Sequence, residues 1–426
     1  MLRRRICGCS DHVFRCSFAA SAVAVSAVAA EAGGFYSPYQ SATAIGSAFA
    51  GASARADDAG FFFYNPAIIS ALEGSQTFID VRGFVPSVEI EPSRAVNALG
   101  LDVTGTGDSG NLARNALAAG SVSVIQLSED ITLGIGSSAP FATDVETRAE
   151  WAGEYHLIRS YIVGLNVTAA ASLELAPWLA LSAGVQIQRM ENEFENTAII
   201  PVGLAPPVEA RAFMKGKDWG IGAVAGVLLT PRSGTRIGLS WRSAITHNIE
   251  GTAGANVPGL PVEHVRYDLE LPQTFSLGID HRVSPDWRLF AEAQLVDWSR
   301  FRGFDVSFAS GRPNELRPID WRDTWLLGAG VGWRVLPSTE LTVGVSYDTG
   351  ASEDGSGSTL SPDANKVLVG AGVIYDAPGL GRVSLSYGHL FVEESPVKAA
   401  SLASGSLDGS LNGHMDMAGI GYTYEW

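Results

Sequence analysis

The 426-residue sequence predicts an all-β fold: a transmembrane antiparallel β-barrel of about fourteen strands, with an N-terminal plug, or hatch, inside its lumen. Three observations predict it. From Gln76 onward apolar and polar residues alternate with a period of two. The connections between the alternating runs are short and long in turn. After the leader, no run approaches the roughly 18 apolar residues of a membrane helix. Successive side chains of a strand project to opposite faces, so this alternation gives each strand one greasy and one wet face.

The clearest run is Tyr267 to Val283. Tyr267, Leu269, Leu271, Phe275, Leu277 and Ile279 are expected on one face, with Asp268, Glu270, Thr274, Ser276, Asp280 and Arg282 on the other. Trp287, Leu289, Ala291, Ala293 and Leu295 repeat the pattern, as do Trp325, Leu327, Ala329, Val331 and Trp333. Strands are expected at 76–90, 119–127, 130–138, 159–175, 178–194, 211–230, 235–250, 266–283, 286–298, 322–336, 339–349, 365–377, 381–392 and 413–426. Their count is even, as single-chain outer-membrane barrels require.

Short links fall at Ser128-Glu129, Ala176-Pro177, Pro231 to Gly234, Ser284-Pro285, Pro337-Ser338 and Ala377 to Leu380. Long ones fall at 91–118, 139–158, 195–210, 251–265, 299–321, 350–364 and 393–412. Short turns on one rim and long loops on the other organise an outer-membrane barrel. A closed barrel also leaves no unpaired backbone in hydrocarbon. Trp178, Trp287 and Trp333 sit beside short turns, where an interfacial aromatic belt belongs. The chain ends on alternating Ala418, Ile420, Tyr422, Tyr424 and Trp426. Tyr422, Tyr424 and Trp426 resemble the C-terminal signal read by the barrel-assembly machinery, a partner during biogenesis.

Residues 1–30 read as a secretory signal peptide, with Arg3, Arg4, Arg5 and Arg15 before an apolar stretch from Phe18 to Ala30. All three cysteines (Cys7, Cys9 and Cys16) lie in it, so the mature chain has no disulfide framework. Without residues 1–30 the chain has 25 basic and 44 acidic residues, a net of −19. That excludes nucleic acid as a natural partner. Residues 31–75 are expected to form the plug and 76–426 the barrel.

The plug is built around Ala56-Asp57-Asp58-Ala59-Gly60-Phe61-Phe62-Phe63-Tyr64-Asn65-Pro66-Ala67. Pro66 removes a backbone donor and pushes Asn65 out of helical geometry. Asn65 can bond back onto its own backbone, and Pro66 suits the first position of a short helix ending near Leu72. Phe61, Phe62, Phe63 and Tyr64 either line an inner binding pocket or anchor the plug to the wall, with anchoring favoured.

Gly46-Ser47-Ala48-Phe49-Ala50-Gly51, Ala56-Asp57-Asp58-Ala59-Gly60 and Asn65-Pro66-Ala67 follow one another in order. Pro140-Phe141, Trp151-Ala152-Gly153-Glu154-Tyr155, Leu271-Pro272 and Asp297-Trp298-Ser299-Arg300-Phe301 come after them. This order resembles the FadL-type outer-membrane transporters of long-chain fatty acids and aromatic hydrocarbons. The resemblance spans nearly the whole mature chain. Ala142 stands where that family usually has Gly, and Asp363-Ala364-Asn365-Lys366 where it often has Asp-x-x-Arg.

The resemblance implies a Gram-negative outer membrane, a monomer surrounded by outer-membrane lipid, and passive transport of a hydrophobic small molecule. Cargo would be captured at the outer loops, pass the plug and leave sideways through the wall. A fatty acid would need a cationic partner for its carboxylate. Arg159, Arg211 and Lys215, near strand mouths, are the candidates. No cofactor or metal is expected: there is no His-Glu-x-x-His, no nucleophile elbow and no phosphate loop, and the histidines are scattered. The chain does not read as an enzyme. Two other classes compete with transport: a structural or adhesive surface barrel, and an outer-membrane lipolytic enzyme needing a Ser/His pair that is not identifiable.

Overall fold

The computed structural model describes residues 34–202, 205–319, 321–352 and 363–426. The expected signal peptide and most of the long link expected at 350–364 lie outside them. Strands run Gln76–Val96, Ala116–Gln126, Ile131–Glu146, Arg159–Ala176, Leu179–Val202 and Ala205–Arg232. Two broken strands follow, Thr235–Arg242 with Ile245–Ala255, and Glu263–Leu271 with Thr274–Arg282. The ring continues through Trp287–Val296, Thr324–Leu336, Thr339–Asp348, Lys366–Ala377, Gly381–Ser401 and Gly405–Glu425. The last strand pairs antiparallel with the first, Glu425 opposite Gln76, and closes a fourteen-stranded barrel. A small hairpin, Gly303–Phe308 with Glu315–Pro318, sits in one outer connection and pairs onto the eighth strand.

Every expected strand has its counterpart, but several outer connections are strand rather than loop. The fifth and sixth strands pair without interruption through 195–210, as far as Ile200 opposite Val208. The last two strands pair through 393–412, up to Ser401 opposite Gly405. Above the hydrocarbon neither face needs to be greasy, so alternation fades in the sequence while backbone pairing goes on. Across one row Glu191 faces Lys217, Lys217 faces Glu250 and Glu250 faces Arg266, a sequence of alternating signs that favours each cross-strand neighbour.

The run from Tyr267 to Val283 does not keep one greasy face. Leu271 and Thr274 both point inward, so Pro272-Gln273 inserts a break that reverses the side-chain parity. Pro272 cannot donate to the ladder, and the neighbouring strand breaks beside it between Arg242 and Ile245. Below the break Phe275, Leu277 and Ile279 face lipid, as expected. Above it Tyr267, Leu269 and Leu271 face the lumen and are buried. The outer half of the lumen is thereby lined with apolar side chains, while the lower wall keeps its apolar side outside.

The membrane belt stands where the sequence places it. Trp287 stacks on Trp333 at 5.5 Å and 8° beside two short turns, and Trp178 is exposed on the same rim. Trp426 donates from its backbone N–H to Ser75 O, 3.0 Å away, tying the end of the chain to the start of the wall. Among the described residues no helix is long and apolar enough to cross a membrane.

Candidate functional site

The described part of the plug, from Gly34 to Leu72, packs inside the ring and is buried almost throughout. Its turns are set by side chains that stand in for missing backbone partners. Asn65 is extended, and its Oδ1 accepts from Ala67 N–H at 2.9 Å, capping the 3₁₀ helix Pro66–Ala71. Its Nδ2 donates to Ser53 O at 2.8 Å and to Val227 O of the wall at 3.1 Å. Asp58 caps the preceding 3₁₀ helix, Ala59–Phe63, by accepting from Gly60 N–H at 2.8 Å, and it also accepts from the Thr43 hydroxyl at 2.6 Å. Burial pushes its carboxyl up to about 6, against the opposing pull of the Thr43 hydrogen bond.

Charged groups fasten the plug near the inner rim. Buried Arg55 lies over the rings of Phe61 and Phe290, at 4.8 and 4.3 Å, and pairs with Asp57 at 2.6 Å. Arg288 of the wall reaches Asp57 at 2.8 Å, Asp280 at 2.8 Å and Glu340 at 2.9 Å. Arg242 donates to the carbonyl of Phe63 at 2.6 Å. Below the plug a polar vestibule of about 290 Å³ opens, ringed by Arg236, Arg282, Arg334 and Arg382.

The wall accepts the plug because it is made of glycine where the two backbones meet. A β-carbon at Gly238, Gly344 or Gly370 would overlap the carbonyl oxygens of Ser53, Ser47 and Ile45. Only glycine allows so close an approach. Phe62 and Phe63 use the same device on the third strand, lying against Gly134 and Gly136.

Above the plug, residues 35–40 form a strap behind the third strand. That strand loses register with the fourth between Ser138 and Phe141, at Pro140. The strap takes up the displaced backbone: Ser37 N–H donates to Pro140 O at 2.8 Å, and Ala142 N–H to Phe35 O at 3.1 Å. The Gln40 amide makes a two-way pair with Ala139, at 2.9 and 3.0 Å. Phe35 fills a box of four aromatic rings, with centroids 5.0 Å away for Trp298, 5.7 Å for Trp321, 5.8 Å for Phe301 and 5.9 Å for Phe141.

The kink leaves a window in the wall. The second and third strands pair only from Ser121 opposite Ser137 to Gln126 opposite Thr132. They meet again farther out, where Ala113 bridges Val145. Between these points Ala116 to Gly120 have no ladder partner in the third strand. Ala118 and Ala142 border the window and belong to the apolar cluster that runs inward through Tyr39, Phe49 and Phe84. On the outer side, a groove of about 370 Å³ lies among Phe194, Phe213, Met214, Leu260 and Phe308, with Arg312 over the Phe308 ring.

Phe61, Phe62, Phe63 and Tyr64 are all buried against the wall or the rest of the plug. Tyr64 has the further task of binding the strap: its hydroxyl donates to Pro38 O at 2.8 Å and accepts from Gln40 N–H at 3.2 Å. Arg159, Arg211 and Lys215 stand on the outer face of the wall. Arg159 lies 3.4 Å from Asp144 and 3.6 Å from Glu193, and Arg211 3.3 Å from Glu195. Among the described residues, wall cations that face the interior include Arg82, Arg242, Arg288 and Lys366 beside the plug, besides Arg236, Arg334 and Arg382 of the vestibule. Lys366 is bound to Asp363, whose carboxylate also accepts from Gly34 N–H at 2.9 Å. Among the described residues no group of three or more His, Asp or Glu is placed to hold a metal.

A closed barrel with an internal plug, an apolar outer lumen and a window in its wall defines an outer-membrane channel. The sequence matches the family described as outer membrane protein transport protein (OMPP1/FadL/TodX) over residues 23–426, and the chain belongs to that family. It is 24 % identical to the long-chain fatty acid transport protein of Escherichia coli O6:H1 over 398 residues, covering 85 % of this chain and 88 % of that one. Its fold matches the crystal structure of a Pseudomonas aeruginosa FadL homologue with a TM-score of 0.84 at 20 % identity, over 92 % of this chain and 99 % of the other. The Ralstonia pickettii toluene transporter TbuX superposes with a TM-score of 0.68 at 16 % identity, over 90 % and 98 % of the two chains. The chain is thus an outer-membrane transporter of the FadL/TodX type.

Proposed function

We propose that the chain carries hydrophobic small molecules, long-chain fatty acids or aromatic hydrocarbons, passively across the outer membrane and releases them sideways. The observation that carries this reading is the window between the second and third strands, backed by the strap rather than by wall. A hydrophobe captured in the outer groove gains by staying among apolar side chains. The parity reversal at Pro272 supplies them along the upper lumen. Straight ahead lies the arginine-ringed vestibule, which offers an apolar solute nothing. To the side lie Ala118, Ala142 and lipid. In this reading the aromatic box holding Phe35 is the inner binding place, and cargo enters it by displacing that ring. Asn65, Pro66 and Ala67 keep the plug body in place while the strap moves. Phe61, Phe62 and Phe63 act as anchors.

The test is uptake of radiolabelled oleate and toluene by cells with an intact outer membrane, with the protein, without it, and with residues 31–72 deleted. Uptake of either solute should rise with the intact protein and change without the plug. Closing the window with a disulfide between Ala118→Cys and Ala142→Cys should abolish that uptake, and reduction should restore it. A folded, surface-exposed protein that moves neither solute would leave a structural or adhesive barrel.

A further inference from the structure

We infer that Arg82, held by Asp80, recognises the carboxylate of an anionic cargo at the window, and so fits the channel for long-chain carboxylic acids. This rests on the reading that cargo leaves between the second and third strands. Both residues lie on the first strand, point into the lumen and are buried. They reach across to Gly120, the last residue of the second strand before its pairing with the third begins. A β-carbon there would lie 2.9 Å from Asp80 Oδ1 and 3.2 Å from an Arg82 Nη. The pair therefore stands at the inner sill of the window.

Its hydrogen bonding is incomplete. Arg82 donates one Nη to Tyr39 O, a carbonyl of the strap. Its Nε lies 3.3 Å from Asp80 Oδ2 but has no hydrogen-bond partner. Asp80 Oδ2 is already taken by Ala42 N–H at 2.6 Å. A guanidinium carries five N–H donors in a flat fork that matches a carboxylate, and a buried unused donor is costly. Tyr39, whose carbonyl the fork holds, packs its ring against Phe49 and Phe84 in the apolar cluster. A fatty acid sliding out tail first would bring its head to Arg82 at the sill. Its carboxylate would also compete for the donor that now holds Tyr39, loosening the strap as the cargo passes. A neutral hydrocarbon has no use for Arg82.

The experiment compares wild type, Arg82→Met and Arg82→Lys in cells with an intact outer membrane, using radiolabelled oleate and its neutral counterpart oleyl alcohol. Heat-modifiable mobility on gels confirms that each barrel is folded. Arg82→Met should lower oleate uptake about tenfold or more relative to oleyl alcohol, the loss expected for a charged hydrogen bond, while oleyl alcohol uptake does not fall and rises if the freed strap opens more easily. Arg82→Lys should restore most of the oleate uptake. An equal loss for both solutes means that Arg82 only holds the strap, and overturns the inference. So does an Arg82→Met variant that takes up oleate normally. A wild type that moves neither solute overturns the transport reading itself, a separate failure from either of these.

Discussion

The plug touches the barrel in two different ways on its two sides. Along the strands carrying Gly238, Gly344 and Gly370 it lies backbone against backbone, where no side chain fits between. Along the third strand the strap is held by a few separate hydrogen bonds and by one ring, Phe35, inserted among four others. The first contact is a close-packed surface that opens all at once or not at all. The second is a set of replaceable contacts, and an apolar ligand can replace the central one. In the proposed transport the difference separates two roles: the plug body as the fixed element and residues 35–40 as the gate.

The largest effect should come from spoiling the fixed side. Gly370→Val drives side-chain carbons into the carbonyl of Ile45. It should lower unfolding stability by at least about 3 kcal/mol or leave the plug undocked, seen as a lower melting temperature in detergent and as protease cleavage between residues 42 and 72. The comparison fails if this variant melts like wild type.

Asn65→Ala comes next. It removes a helix cap, a bond to Ser53 O and a bond to the wall at Val227 O. A loss of about 2 kcal/mol is expected in the same melt. Pro66→Ala keeps those bonds and should cost less.

The acid on the fixed side gives a pH signature. Asp58 has its carboxyl raised from 3.8 to about 6 by burial. The folded state therefore holds this proton more tightly than the unfolded one. The contribution is fully present below pH 4, declines as the pH rises to about 6, and is gone above it. Its size is of the order of 3 kcal/mol, and Asp58→Asn should flatten that part of the stability profile. A profile unchanged in slope between pH 4 and 6 would remove Asp58 as its source.

The smallest effect on global unfolding should come from the gate. Phe35→Ala empties the aromatic box without touching the glycine surface. The melting temperature should stay within a degree or two, while a protease site introduced at Ser37 becomes accessible and basal toluene uptake rises. A large drop in melting temperature would show that the strap is part of the fixed body.

The sequence by itself determined the barrel, because each strand must satisfy two solvents and writes that demand as alternation. It determined the rim, through Trp287 and Trp333, and the turn at Asn65-Pro66, where local geometry suffices. The continued pairing through 195–210 and 393–412 was hidden, since residues above the membrane carry no periodic contrast. Tertiary structure alone decided which face of a strand looks inward once its register breaks. At Pro272-Gln273 two residues stand where alternation has one between inward-facing neighbours, and this turns Tyr267, Leu269 and Leu271 from lipid to lumen, a reversal visible only when the partner strand is seen to break as well. It also decided which way each cation faces. Arg159, Arg211 and Lys215 sit near strand mouths in sequence, yet they look outward, whereas Arg82 faces the window. Whether an arginine meets cargo or solvent depends on neighbours far away in the chain, and no local pattern records them.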